Sequence, residues 1–323
     1  MPDGYRETIS DGVDYINGMD RRFVANLRTR EESLSLLKEA IDSADHIVLG
    51  AGAGVSTSAG FTYSGERFKS IFPDFIREYG ITDMYSGGFY PFPDKETYWA
   101  WWSRHIYFNR YIEAPVPVYK GLKSLLKDKD FFVVTTNVDH QFQMAGIDRE
   151  RLFYTQGDYG LFQSTNPKNR RTYDNEKNIR EMLEYQGFIE KDGVLAFPPE
   201  GSKMRVASDM IPRCPDDGMP MTMNLRSDDT FAEDEGWRRA SAAYSVFLSR
   251  CKDDKTLYLE AGVGSNTPVI IKYPFWQRTS TNPNATYACL NYGETYCPRS
   301  IADRSICVDG DLWGILKDLE NLG

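Results

Sequence analysis

Residues 46–61, HIVLGAGAGVSTSAGF, constrain this chain more than any other stretch. A short apolar run ends in glycines and small residues, and a helix-forming stretch follows. Strand, tight turn and helix in that order belong to a parallel sheet, whose crossover helices bury both faces. Further apolar runs at 130–136, 151–155, 257–261, 285–291 and 305–308 alternate with helical stretches. Among these, 31–44 carries Leu34, Leu37 and Ile41 at helical spacing, and 312–322 closes the chain as a short helix. The pattern predicts an α/β protein built on a doubly wound parallel sheet. Residues from about 165 to 235 break the rhythm, being charged, proline-containing and poor in long apolar runs. They are expected to form a smaller inserted domain, with 31–164 and 236–323 making the main domain and 1–30 a polar N-terminal extension. A ligand then belongs at the carboxyl ends of the strands, facing the insertion.

Bulk properties exclude some functions. The net charge of −9 over 323 residues argues against nucleic-acid binding, which depends on neutralising phosphates with Lys and Arg. No run approaches the roughly 20 apolar residues that span a bilayer, and the acidic, polar start lacks a signal-peptide core. A cytoplasmic protein without membrane contact is expected. Five cysteines, none in a C-x-x-C pair, fit reduced thiols rather than a disulfide scaffold or a four-cysteine zinc site.

Four segments carry polar or glycine-rich strand ends. In the first, Gly52, Ala53, Gly54 and Ser56 let backbone approach either a pyrophosphate or another part of the chain, and both readings stay open. In TTNVDHQFQMAG, 135–146, Asn137 and Asp139 follow an apolar strand, as fixed donors and acceptors or as a cap on the next helix. YTQGDYG, 154–160, is another strand end, with Gln156 before glycine. AGVGSNTP, 261–268, offers Gly262, Val263 and Gly264 beside Asn266 and Thr267.

In this order and spacing the segments resemble the sirtuin family over roughly residues 30–320. GAGVSTSAG is similar to the first sirtuin motif, TTNVDHQFQMAG to the T-Q-N-x-D-x-x-H-x-x-A-G segment, and GVGSNTP to the later G-T-S-type turn. Asn291 resembles the ribose-contacting asparagine, and Asp309 lies where the family holds adenine. The resemblance implies a Rossmann-like fold and NAD as cofactor. It implies contacts from the residues above together with Gly60, Phe61, Tyr63 and Arg67 of the covering loop.

The departures narrow the reading. Sirtuins carry His-Gly at the third motif, the histidine being the base for deacylation; here Gln156-Gly157 stands there, and an amide cannot shuttle a proton near pH 7. Of the three histidines, His46, His105 and His140, only His140 lies in a motif. The zinc module is reduced to Cys214, with Asp217 at a second cysteine position, so no metal is expected and the inserted domain lacks the usual zinc site. Where sirtuins hold an apolar acyl-lysine segment, this chain has Met221 to Arg226; Arg226 or Arg213 is suited to a phosphate, a carboxylate or a charged nucleophile. GFTYSGERF, the Gln-Gly pair and the N-L-R segment resemble the macrodomain-linked, class M branch. That resemblance implies NAD-dependent ADP-ribosyl transfer to a protein acceptor, a lipoylated glycine-cleavage H-like carrier, with a macrodomain hydrolase as opposing partner. Asn137 and Asp139 would polarise the glycosidic bond and Gln156 orient the ribose, with Arg226 or Arg213 positioning the acceptor. The competing readings are NAD-dependent lysine deacylation, a non-catalytic NAD or ADP-ribose sensor, and plain NAD hydrolysis.

Overall fold

A computed structural model describes residues 2–18, 22–25, 28–265 and 268–322. Six strands form one parallel sheet in the spatial order Ser305–Asp309, Thr286–Asn291, Thr256–Ala261, His46–Ala51, Phe131–Thr135, Leu152–Tyr154. Counted along the chain, the order is 6-5-4-1-2-3. The winding reverses beside His46–Ala51, and such a reversal opens a crevice at the carboxyl ends. Every residue of Thr256–Ala261 is buried, as helices on both faces require.

Helix Arg30–Ser43 begins where the sequence reads T-R-E-E. Thr29 accepts a hydrogen bond from the Glu32 amide, and Glu32 returns one from the Thr29 amide at 2.8 Å. This reciprocal cap fixes the start of the helix. Leu34, Leu37 and Ile41 then fall on the buried face, against Ile47 and Leu49 of the sheet. Burying each such side chain is worth about 1.5–3 kcal/mol. The opposite face is closed by Glu235–Arg250, Lys272–Thr281 and the N-terminal helix Gly4–Gly18, through Tyr244, Phe247, Trp276 and Tyr15. Inside this layer Lys272 Nζ meets Glu260 Oε1 at 2.6 Å, and the Tyr287 hydroxyl donates to Glu260 Oε2 at 2.7 Å, so the buried carboxylate is fully engaged.

A third core lies over the carboxyl edge of the sheet. It joins helices within 65–110 to an antiparallel sheet of Thr172–Asp174, Gly157–Ser164 and Met221–Leu225 and to helix Glu176–Tyr185. The segment 165–235 thus packs together with 65–110 and 157–164. Lys95–Arg110, the aromatic-rich helix, is buried on nearly all sides, with Trp99 and Trp101 at its centre. Arg104 is fully buried there. Its guanidinium forks onto Asp74 at 2.7 and 2.9 Å and donates to Gln186 Oε1 at 2.8 Å.

Where zinc knuckles would be, hydrogen bonds organise the chain. The Cys214 amide donates to Met219 carbonyl at 2.8 Å, and its thiol meets the Tyr173 hydroxyl at 3.3 Å. Asp217 takes the Ser164 hydroxyl and the Asn169 amide. Among the described residues no group of three or more His, Cys, Asp or Glu is placed to hold a metal ion, and no helix is long and apolar enough to cross a membrane.

Candidate functional site

The glycines of the first and fourth motifs meet at the switch point. The Gly54 amide donates to Gly262 carbonyl at 2.8 Å. A Cβ on Gly52 would lie 2.7 Å from that carbonyl oxygen, and one on Gly54 would lie 2.7 Å from Gly262 Cα. Gly262 has φ +59°, and its own Cβ would sit 2.5 Å from Val55 nitrogen. The two turns are therefore locked backbone to backbone. Their small residues serve the turn-to-turn contact and, in doing so, keep bulk away from the strand ends.

Neighbouring strand ends are stitched in the same way. The Thr136 amide donates to Ala51 carbonyl, Thr155 to Thr135, Gly262 to Leu290 and Gly310 to Asn291. This places Gly52, Asn137, Gln156, Gly262, Asn291 and Asp309 along one edge. Asn291 Nδ2 donates to Val263 carbonyl at 3.1 Å, and Asp309 Oδ1 accepts from the Gly293 amide at 2.8 Å. Gly264 faces open space. Asn266 and Thr267 lie outside the described residues.

Above the edge is a cleft of about 290 Å³ whose walls include Ala53, Ser56, Phe61, Tyr63, Asn137 and Asp139. Asp139 is buried and accepts three hydrogen bonds: Ser56 Oγ at 2.5 Å, Tyr119 hydroxyl at 2.8 Å and Gln141 amide at 3.2 Å. Burial pushes its carboxyl above the ordinary value, the Ser56 and Tyr119 donors pull it back, and nearby Asp158 raises it further; the net direction is up. Asn137 Nδ2 donates to Gly52 carbonyl at 3.0 Å and to the Tyr119 hydroxyl at 3.3 Å. Its side-chain oxygen, committed to no described residue, is left as an acceptor on the cleft wall.

A raised carboxylate costs stability while ionised. The protonated form is favoured in the folded state, so the chain gains stability as pH falls through the folded value and pays the full penalty above it. Asp139→Asn is therefore expected to raise the melting midpoint at pH 7, by roughly 2–4 °C per kcal/mol recovered, while turnover falls. A midpoint that drops at pH 7 would show that the carboxylate is structural.

The covering loop is held from behind. Arg67 donates to Thr62 carbonyl at 3.1 Å and Phe108 carbonyl at 2.5 Å, and its guanidinium lies 4.9 Å from the Phe61 ring centre. Arg67 thus fixes Phe61 without lining the cleft. Gly60, at φ +94°, makes the turn, and a Cβ there would sit 2.5 Å from Pro115 Cγ.

Gln156 stands half-buried at the strand end next to that of Asn137 and is not among the cleft's lining residues; its Nε2 lies 3.3 Å from Thr155 Oγ1. Gly157 after it is a steric necessity, since at φ +96° a Cβ would lie 2.0 Å from Asn224 carbonyl oxygen. The Arg226 amide donates to Gln156 carbonyl at 3.0 Å. The Arg226 side chain runs the other way. It sits 4.3 Å from the ring centres of Tyr5 and Phe231, 4.9 Å from that of Trp237, and pairs with Glu233 at 2.7 Å. Arg213 is exposed at the opposite end of the antiparallel sheet, where it bridges to Pro220 and borders a separate cavity with Phe162, Tyr173 and Glu181. The structure thus brings Asn137 and Asp139 together with Gln156 beside them, and leaves Arg213 apart.

His140 takes a left-handed backbone, φ 63°, and its Nδ1 contacts Asp158, which Arg110 also grips at 2.7 Å. Tyr119 and His105 had no local signal, because only tertiary packing carries them to the site. Tyr159 lay inside the third motif, but a tyrosine in a strand usually reads as core.

No family model matches the sequence. The chain is 38% identical over 285 residues to a protein ADP-ribosyltransferase of Staphylococcus aureus, an alignment spanning 88% of this chain and 85% of that one. It is 30% identical over 254 residues, 76% of this chain, to a probable bifunctional ADP-ribose hydrolase/ADP-ribosyltransferase of Fusarium oxysporum f. sp. cubense, of which the alignment spans 40%. Among solved structures, a Sir2 enzyme superposes with a TM-score of 0.51 at 16% identity, covering 91% of this chain and 100% of that one. A Sir2 complex with the inhibitor EX-527, 2'-O-acetyl-ADP-ribose and a deacetylated p53 peptide gives 0.53 at 15% identity, covering 90% and 98%.

Proposed function

Because this chain belongs to the sirtuin-type protein ADP-ribosyltransferases, we propose that its cleft cleaves NAD and that a protein side chain captures the ADP-ribose. The observation that carries this reading is that Asn137 and Asp139 line the cleft while the neighbouring strand end carries an amide, Gln156, at the position where deacylation would need a base. NAD supplies the scissile bond: the C1'–N pair leaves with neutral nicotinamide, an acceptor lone pair closes on C1', and the acceptor's proton passes to solvent. Asn137 presents its oxygen to the nicotinamide end, held by Gly52 and Tyr119. Asp139, in a dry wall, sets a negative charge beside the carbon that becomes oxocarbenium-like. Gln156 orients ribose hydroxyls without taking a proton. The dinucleotide continues along the edge past Gly262, Val263, Gly264 and Asn291 to Asp309. Neither arginine brings its guanidinium to the cleft: Arg226 reaches the site through its backbone amide, which holds the Gln156 carbonyl, and Arg213 borders a separate cavity.

The acceptor in this reading is a lipoylated glycine-cleavage H-like carrier in the cytoplasm, docking on the layer that includes 165–235. The Fusarium relative, a probable bifunctional ADP-ribose hydrolase/ADP-ribosyltransferase, supports a hydrolase as the opposing partner, of macrodomain type in keeping with the class M branch. Mass spectrometry of the protein with NAD, a lipoylated carrier and an acyl-lysine peptide tests it. ADP-ribose on the carrier, absent when lipoylation is absent, is the expected result. Deacylated peptide with no transfer would restore an ordinary sirtuin, and nucleotide binding without nicotinamide release would leave a sensor.

A further inference from the structure

A hydrogen-bonded chain runs from the buried core to the cleft. His105 Nε2 lies 3.0 Å from the Tyr159 hydroxyl, which lies 3.1 Å from the Tyr63 hydroxyl. Both tyrosines line the cleft beside Asn137 and Asp139. His105 is 2% exposed, and its Nδ1 is buried with no partner among the described residues. Burial and then the Arg67 charge push its imidazole down to about 3, so the ring is neutral at physiological pH and carries a single proton.

Where that proton sits fixes the direction of the whole chain. A proton on Nδ1 would strand an N–H donor in a dry interior, whereas a proton on Nε2 leaves only an unused lone pair. Buried donors without partners are the costlier and rarer case. With the proton on Nε2, the imidazole donates to the Tyr159 oxygen; the buried Tyr159 O–H then has only the Tyr63 oxygen to donate to, and the less buried Tyr63 keeps the free proton. The Tyr63 O–H then has no protein acceptor left. Asp139, whose charge acts on Tyr63, is held by Ser56 and Tyr119 and makes no hydrogen bond to Tyr63. No other described residue pairs with the Tyr63 hydroxyl.

We propose that His105 is a positioning residue that turns Tyr63 into a fixed hydrogen-bond donor for a carbonyl oxygen in the cleft, the carboxamide oxygen of nicotinamide. The assignment rests on NAD being the substrate of this cleft. It gives the two sides of the carboxamide separate partners, the oxygen meeting Tyr63 and the amino group meeting the Asn137 side-chain oxygen. An aromatic substitute lacking the carboxamide would satisfy neither.

Nitrogen-15 shifts of the imidazoles in the full chain read the first half directly, since only three histidines contribute. His105 is expected to show a protonated Nε2 and a bare Nδ1; a proton on Nδ1 overturns the proposal. Calorimetry reads the second half. Tyr63→Phe is expected to weaken nicotinamide binding about tenfold, while 3-methylpyridine, which has no carboxamide, binds both proteins alike. His105→Gln, whose amide N–H can still donate to Tyr159, should keep more affinity than His105→Leu. Nicotinamide bound equally by wild type and Tyr63→Phe overturns the proposal and leaves the ADP-ribosyl reading intact. A wild type that binds neither NAD nor nicotinamide sinks both.

Discussion

Asn137→Ala should lower NAD turnover by about 100-fold to 1000-fold, the range seen when one preorganised polar group is taken from a developing charge. The fold should survive. The amide nitrogen that is lost serves Gly52 carbonyl and the Tyr119 hydroxyl, two hydrogen bonds worth about 0.5–1.5 kcal/mol each. Tyr119 keeps its bonds to Asp139 and Ser56, and the Gly52 carbonyl keeps the Val55 amide at 3.0 Å. Nicotinamide release measured by chromatography, beside a melting curve, separates the two effects. Turnover within a few-fold of wild type would remove Asn137 from the chemistry. Lost turnover with a collapsed melting transition would make it a structural residue.

The largest loss of stability is expected at Arg104→Met. The side chain is completely buried, forks onto Asp74, and donates to Gln186 Oε1 and to Ser202 Oγ at 2.6 Å. Its guanidinium lies 4.8 Å from the Phe75 ring centre and 5.2 Å from that of Phe188. Methionine fills most of the space but leaves the Asp74 carboxylate in the core without its charge partner. Removing one member of such a pair costs about 3–5 kcal/mol. Asp74→Leu combined with Arg104→Met should recover part of that loss, because it is the unpaired charge that is expensive. The pair also sets an acid limit. Burial pushes the Asp74 carboxyl up, but the Arg104 hydrogen bonds and charge outweigh it and hold it below its ordinary value. Stability from this carboxylate is present above the unfolded value and is lost as pH falls through the folded one. Urea titrations of the three proteins at pH 7 and near pH 3 measure all of this. A single variant as stable as wild type at pH 7 would mean that Asp74 is solvated or protonated.

The sheet was legible because its strands are apolar on both faces and its turns are glycine-rich, so local composition and tertiary role agree. Leu34, Leu37 and Ile41 announced their face by spacing alone. Asn137 and Asp139 stood out as polar residues after an apolar strand, although a cap on the next helix would have read the same. The residues that back the cleft walls were harder to see. Tyr119 belongs to a helix whose tyrosine looks like ordinary core, and His105 sits among tryptophans on a helix buried all round. Neither differs in sequence from a packing residue until the fold sets its polar atom beside a hydroxyl. Arg226 misled for the converse reason. Its backbone is at the site, yet its guanidinium found three aromatic rings, one of them Tyr5, more than two hundred positions away. Close packing was one of the two open readings of the glycines, but which segment they meet was not legible, because the atom each of Gly52 and Gly54 would strike belongs to another turn.

The grip of Tyr5 on Arg226 has a practical side. Anyone who splices a tag, a tether or a reporter domain in front of Gly4 is attaching it to the far end of a short lever. Its fulcrum is a guanidinium between rings, and its near end is the amide that holds Gln156 in place. A load that unseats Tyr5 would be read out as altered catalysis, although nothing within reach of the substrate had been changed.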